Sequence, residues 1–426
     1  MSSISQEESW LPVLPESHFP IQNLPFGVFS DGGLDTIGVA IGDRILNLAA
    51  LANAGLLDGV CEREILNAPV LNPLLAAGRG VWSGLRSRLI ELLKTNGDSA
   101  LRDLNDHAMF VVQREVSMRL PTQIGDYVDF YSSLEHATNL GKLFRPDGDP
   151  LMPNWRWMPI GYHGRSATVV IDGTPIRRPC GQRKLPTASE PTFGPSARLD
   201  IELEIGFLTG PANALGQRIP TGAARDHVFG LVLVNDWSAR DIQAWEYQPL
   251  GPFLGKSFAT TISPWIVTLD ALEPFRMRGP VQDPAPLAYL ACDDSWSYDI
   301  ALDVAIQSEA MRARGLAPHV VSRTNYGMMY WNLAQQLAHA TANGAIAEPG
   351  DLFASGTISG TTPDSLGSFI ELSWNGTRPL SLPDGQTRSF LQDGDRITIA
   401  GTCRKSGERT IGFGSATGEI LPSDAC

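Results

Sequence analysis

Pairs of glycine with aspartate or asparagine break this chain into short apolar runs. Asp31-Gly32-Gly33, Gly42-Asp43, Asp172-Gly173, Asn375-Gly376, Pro383-Asp384-Gly385 and Asp393-Gly394 all sit between apolar or alternating stretches. Such pairs accept the backbone angles of tight turns, so they separate strands more readily than helices. With 42 glycines and 31 prolines in 426 residues, the chain suits a turn-rich, strand-rich fold better than a helical bundle.

The length fits two or three domains. Residues 26–48 read as short strands joined by hairpin turns, a small barrel or meander. Val81, Leu85, Leu89 and Leu92 recur at helical spacing and mark a helix. This N-terminal unit closes near Leu120-Pro121, which divides the chain into residues 1–120 and 121–426. Strands dominate the second part, with one long helix expected from Tyr326, Tyr330, Leu333, Leu337 and Ala340 and ended by Asn343-Gly344. The fold class is mostly β, in the α+β sense.

Net charge is −13. That field repels phosphate backbones and anionic lipid, so neither nucleic acid nor a membrane is an expected partner. An anionic substrate needs arginine and lysine placed locally against the field. The five cysteines are scattered and form no Cys-x-x-Cys, against both a disulfide framework and a zinc–thiolate site. The first twenty residues carry no apolar signal core, so the cytoplasm is the expected compartment.

Five segments hold residues able to do chemistry. In Asp129-Phe130-Tyr131-Ser132-Ser133-Leu134-Glu135-His136, an extended start puts Asp129 and Tyr131 on one face, and His136 is a candidate base. Alone, a capping aspartate and a satisfied surface histidine explain it better. In Leu199-Asp200-Ile201-Glu202-Leu203-Glu204-Ile205, Glu202 and Glu204 share a strand face roughly 7 Å apart. A wet edge strand tolerates that arrangement, whereas an enclosed face needs a cation between the two carboxylates. After the apolar run 229–234, Asn235-Asp236 reads as a helix start. Arg240, Gln243 and Tyr247 then form one polar stripe, which a solvated face would also explain. Lys256 sits among Phe253, Leu254 and Phe258 and must snorkel, pair or do chemistry. Gly255-Lys256-Ser257 lacks the earlier glycine of a phosphate-binding loop and is rejected as one. Finally, Ala354 to Gly360 is a hydroxyl-rich loop, and Phe369 to Trp374 places Glu371 on an expected strand. There it could orient a histidine or simply face outward.

Asp129, Glu202, Glu204 and Asp236 are all oxygen donors. Such a set selects a hard cation, magnesium or calcium, with manganese possible in kind. The residues alone therefore point to metal-assisted chemistry on a small anionic carbonyl compound.

These segments, in this order, resemble the fumarylacetoacetate hydrolase family. Phe19-Pro20-Ile21 with Leu24 to Phe29, Met152-Pro153-Asn154-Trp155, Gly161-Tyr162-His163-Gly164, Gly173 to Pro179, Tyr247 to Phe253 and Gly385 to Phe390 are similar to it as well. The match spans nearly the whole chain. It implies a small SH3-like barrel followed by a mixed β-roll, assembled as a homodimer. It also implies hydrolysis of the carbon–carbon bond of 4-fumarylacetoacetate, the last step of tyrosine and phenylalanine catabolism. Asp129, Glu202, Glu204 and Asp236 would hold Ca2+ or Mg2+. Lys256 and Thr260 would complete those surroundings or a second cation site. His136 would activate water, oriented by Glu371, while Arg240, Gln243 and Lys256 stabilise the oxyanion or the carbanion. Tyr131, Arg145, Gln243, Tyr247 and Thr357 would contact substrate. One departure is Ala259, where the family has glycine. The rivals are an acylpyruvate hydrolase, decarboxylase or isomerase of the same superfamily, and a binding protein whose metal only staples the fold.

Overall fold

The computed structural model describes residues 7–104, 107–292 and 296–424. The first six residues and Cys426, read above, lie outside these. Strands Phe26–Ser30, Thr36–Ile41 and Arg44–Asn47 form at the expected hairpins. Phe110–Val112 and Ser117–Arg119 close them into a five-stranded antiparallel sheet. Gly42 turns at φ +59°, which glycine adopts without strain. Helix Arg79–Leu93 buries Leu85, Leu89 and Leu92 in the same core, while Val81 stays half-buried.

The second part is built on an eight-stranded mixed sheet. Its path runs Gly161–His163, Tyr127–Phe130, Leu352–Ala354, Leu203–Thr209, Val228–Asp236, Thr260–Ile262 and Val169–Ile171, with Val267–Thr268 also pairing to Val228–Asp236. The two central strands, Leu203–Thr209 and Val228–Asp236, are buried along their whole length. Side chains alternate across a strand, and here each face meets its own core. Ile205, Phe207, Leu231 and Leu233 pack into a cluster with the second sheet, whereas Leu208, Val232 and Val234 pack with the N-terminal unit. The wet edge strand is thereby ruled out for this segment. The second sheet, His319–Asn325, Ala301–Gln307, Arg396–Cys403, Ile411–Leu421 and Ile176–Arg177, covers the other side. Cys61 and Cys403 carry free thiols, whereas Cys180 is disulfide-bonded, although the scattered spacing argued against a disulfide framework.

Local structure departs from expectation at four places, each because a tertiary hydrogen bond competes with local periodicity. The helix expected from Tyr326 spans only Leu333–Ala340. Tyr326–Met328 is a separate 3-10 turn, the Tyr330 and Trp331 amides donate to the Ser132 carbonyl, and Asn332 starts the helix with a capping box. Asp236 ends a strand instead of capping a helix. The helix begins at Arg240, because the amides of Ala239 and Arg240 donate to Gly255 and Arg198. Glu371 lies on a one-turn helix, Phe369–Leu372, and not on a strand. Glu202 precedes the strand that holds Glu204, its amide bonded to the Asn235 side chain.

Candidate active site

One end of the mixed sheet gathers the chemistry. Asp129 pairs in register with Ala354, Leu203 with Asn235, and Asp236 with Thr260. Three strands, Tyr127–Phe130, Leu203–Thr209 with Glu202 just before it, and Val228–Asp236, therefore deliver four carboxylates to one place. Asp129, Glu202, Glu204 and Asp236 each offer an oxygen within 4.8 Å of the others, and all four are buried. Gly356, at φ +79°, brings its amide to Glu204 Oε2 at 3.1 Å. A Cβ there would lie 2.1 Å from the Phe130 carbonyl, so only glycine lets this loop approach.

The lysine in apolar company is paired. Lys256 Nζ bonds Glu202 and lies 2.8 Å from Asp236 Oδ2. Thr260 Oγ1 donates to Asp236 Oδ1 at 2.7 Å. Arg240 Nη1 meets Glu202 Oε1 at 2.7 Å and Gln243 Oε1 at 3.2 Å. Burial opposes the charge on Glu202, yet Lys256 and Arg240 hold its carboxyl down at about 2. Burial first, and Asp236 beside it, push Asp129 well above the usual carboxylate range. Glu204 is raised likewise by burial and by Asp129.

Lys256 and Arg240 make their ion pairs with Glu202, Asp236 and Asp200, and among the described residues no salt bridge reaches Asp129 or Glu204. Asp129 Oδ1 and Glu204 Oε1 are buried with no hydrogen-bond partner. A buried oxygen left unpaired is costly, and a set of only oxygen donors is what a hard cation takes. The cluster thus fits a metal ion on both counts.

A cavity of about 330 Å³ opens beside it. Asp129, Glu202, Arg240 and Lys256 form its polar end. Tyr131, His136, Arg145, Gln243, Tyr247 and Thr357 line it too, with Leu140, Phe144, Leu151, Trp155 and Ile160 as an apolar wall. Arg145 is exposed at the mouth, its Nη2 on the Pro150 carbonyl at 2.7 Å. Besides Asp129 Oδ1, two buried groups able to donate lack partners on the lining, Arg240 Nη2 and Thr357 Oγ1.

His136 is buried on helix Leu134–Phe144, whose N-cap Ser133 accepts the His136 amide. Its Nδ1 lies 2.7 Å from Glu371 Oε2. Glu371 also accepts from Asn139 Nδ2 at 2.9 Å, Ser359 Oγ at 2.9 Å and Ser368 Oγ at 2.6 Å. Burial works against its charge, but His136 and these donors hold the carboxyl below its ordinary value. An ionised carboxylate only accepts, so Nδ1 carries the proton and Nε2 is the basic nitrogen.

Glu371→Gln is expected to flatten the acid side of the stability profile. A depressed carboxyl contributes stability that is full above the unfolded value, about 4.3. That contribution is lost as pH falls through the lower folded value. Thermal melts from neutral pH downward read this directly. Equal slopes for wild type and variant would mean that Glu371 is not held ionised.

Several members of this constellation were not singled out from the sequence. Asn139 is three residues after His136 on one helix, a spacing that could have pointed to it. Tyr162 Oη lies 2.9 Å from both Asp129 Oδ2 and Asp236 Oδ2, and belongs to the Gly161-Tyr162-His163-Gly164 motif. Ser359 sits in the hydroxyl-rich loop. Ser368 gave no local signal.

Known proteins carry the same arrangement of segments. The family described as fumarylacetoacetate (FAA) hydrolase C-terminal matches residues 127–420, and that described as fumarylacetoacetase N-terminal matches residues 22–121. The chain belongs to the fumarylacetoacetate hydrolase family. It is 49% identical to the fumarylacetoacetase of Homo sapiens over 422 residues, covering 97% of this chain and 99% of that protein. It is 50% identical to the fumarylacetoacetase of Arabidopsis thaliana over 423 residues, covering 98% and 99%. A solved fumarylacetoacetate hydrolase from psychrophilic Exiguobacterium antarcticum shares the fold, with a TM-score of 0.52 at 17% identity over 94% of this chain and 99% of that one. At the departure from the family pattern, Ala259 needs no special backbone. Among the described residues, the positive-φ positions outside glycine are Leu24, Trp374 and Asn375. Among the described residues, too, no helix is long and apolar enough to cross a membrane.

Proposed function

We propose that this chain hydrolyses 4-fumarylacetoacetate to fumarate and acetoacetate, closing tyrosine and phenylalanine breakdown. The observation that carries the reading is the buried His136–Glu371 pair, with His136 lining a cavity that also reaches Asp129 and Glu202 of the four-carboxylate cluster. Near half identity to fumarylacetoacetases over almost the whole chain supports the same substrate.

Hydrolysis of a carbon–carbon bond needs an electrophilic carbonyl and a leaving group that survives as an enolate. A 1,3-diketo acid has both. A Ca2+ or Mg2+ ion, or Mn2+ in their place, held by Asp129, Glu202, Glu204 and Asp236 supplies Lewis-acid polarisation of the diketone when bound. His136 Nε2 takes a proton from water as the water oxygen joins the fumaryl-side carbonyl carbon. The carbonyl π electrons move onto oxygen, where Arg240 Nη2 and Thr357 Oγ1 have donors to spare. Collapse breaks the carbon–carbon bond, and its electron pair leaves with acetoacetate. Lys256 and Gln243 face that developing charge, and the proton held by His136 passes to the carbanion carbon. Tyr131, Arg145 and Tyr247 bind the substrate ends, with Arg145 opposite a terminal carboxylate at the mouth. Lys256 and Thr260 brace Asp236 within the cation surroundings.

Decarboxylation needs no activated water, so a positioned His–Glu pair argues against that rival. In the same proposal the two units divide near Pro121, and the protein is a cytoplasmic homodimer. Trp245, Leu250, Phe253 and Leu254, exposed on and just after helix Arg240–Glu246, support an interface there.

Loss of the diketone's ultraviolet absorbance on adding fumarylacetoacetate tests the reading. Absorbance should fall with the cation present. A folded, cation-loaded protein that leaves the substrate untouched would refute it.

A further inference from the structure

Asp200 carries no role in the reading above, yet it is completely buried and its carboxylate is fully subscribed. Oδ1 accepts the Ile201 amide at 2.8 Å and the Phe369 amide at 2.6 Å. Oδ2 accepts the Ile370 amide at 3.0 Å and Arg240 Nε at 2.8 Å. Three of these four donors are backbone groups. They pin the carboxylate between the start of the carboxylate-rich segment and the turn that carries Glu371.

The fourth donor is the consequential one. A guanidinium is planar and its donors are fixed relative to each other. Arg240 is held at Nε by Asp200 and at Nη1 by Glu202 and Gln243. With two edges pinned, Nη2 has a single direction left, and it is the donor without a protein partner. Glu202 alone would not achieve this, because it also binds Lys256 and leaves the plane free to swing about one contact.

We propose that Asp200 is a positioning residue for Arg240. It sets the guanidinium plane so that Nη2 meets the oxyanion, and it registers that donor against the segment bearing Glu371. The proposal rests on the hydrolase reading and deepens it: Asp200 touches neither substrate nor cation, and acts through Arg240.

An asparagine at this position can keep its amide oxygen toward the Ile201 and Phe369 amides, the two backbone donors on Oδ1. Its NH2 group then faces Arg240 Nε and the Ile370 amide, donor against donor. Two of the three backbone bonds survive while the hold on Arg240 is lost. Misplacing one oriented donor costs on the order of 10²-fold in rate.

The test is a double-mutant cycle with Asp200→Asn and Arg240→Gln, reading kcat and KM for fumarylacetoacetate together with thermal melts. Asp200→Asn should lower kcat on the order of 10²-fold with KM changed by less than about threefold. In the Arg240→Gln background the same substitution should lower kcat by less than about threefold, because the group it acts through is gone. A role confined to stability would lower the melting temperature and cost the same factor in both backgrounds, which overturns the proposal. So does Asp200→Asn with kcat within about threefold of wild type. If Asp200→Asn fails to fold with an unpaired guanidinium, Arg240→Gln compared with the double variant decides. A further loss of about tenfold or more overturns the proposal, and less than about threefold supports it. An inert wild type instead removes the hydrolase reading itself, and with it this inference.

Discussion

His136→Ala lowers kcat by about 10²- to 10⁴-fold, the usual contribution of a positioned general base. The protein stays folded, for a stated reason. Glu371 keeps the bonds from Asn139, Ser359 and Ser368, so removing the imidazole does not strand a bare carboxylate. The imidazole's edge-to-face contact with Tyr131, at 5.4 Å between centroids, is lost, a modest packing term. KM moves little, because water activation belongs to the transition state and not to substrate binding. Steady-state kinetics and a melting curve on one preparation check both halves. Turnover within about threefold of wild type would remove His136 from the mechanism.

Removing the divalent cation has the second large effect. Turnover should fall on the order of 10³-fold or more, since Lewis-acid stabilisation supplies several kcal/mol at the transition state. The melting temperature should fall as well. A ligand that binds only the native state at 100 times its Kd contributes about 2.7 kcal/mol. Here two of the cluster's own oxygens, Asp129 Oδ1 and Glu204 Oε1, are buried without a hydrogen-bond partner. Dialysis against a chelator, then back against Mg2+, Ca2+ or Mn2+ in turn, measures both effects and ranks the ions. Full activity after chelation would mean that Lys256 and Arg240 alone satisfy the cluster. A falling melting temperature with unchanged turnover would assign the ion to structure.

Parts of the fold that depend on local chemistry were legible in the sequence. The hairpins at Asp31-Gly32-Gly33 and Gly42-Asp43 formed as expected, since turn geometry is written in the residues themselves. The helix carrying Leu85, Leu89 and Leu92 did so too. Glu202 and Glu204 were visible as an odd pair, but whether their face was wet or enclosed was not. That depends on the N-terminal unit and the second sheet covering the central strands from both sides. The misread elements share one cause. Phe369–Leu372 looked like a strand because apolar residues flank Glu371, yet Asp200, far away in sequence, accepts its first amides and holds it as a helical turn. Tyr326 and Tyr330 sat at helical spacing, yet the Ser132 carbonyl claimed the following amides.

The site divides in the same way. The resemblance named His136, Glu371 and the four carboxylates, and the fold brings all six to one end of one sheet. Asn139, Ser359 and Ser368 were missed because their importance lies in what they donate to Glu371, a contact that no spacing rule contains. Asp200 stood in plain view two residues before Glu202, overshadowed by the more conspicuous pair.

The central claim is that this protein splits the carbon–carbon bond of fumarylacetoacetate with water. Turnover in oxygen-18 water, followed by mass spectrometry of the products, tests it most directly. The account predicts fumarate and acetoacetate in equal amounts, with one solvent oxygen in a fumarate carboxylate and none introduced into acetoacetate by the reaction itself. Release of carbon dioxide without fumarate, or unchanged substrate beside a folded and cation-loaded protein, would contradict it.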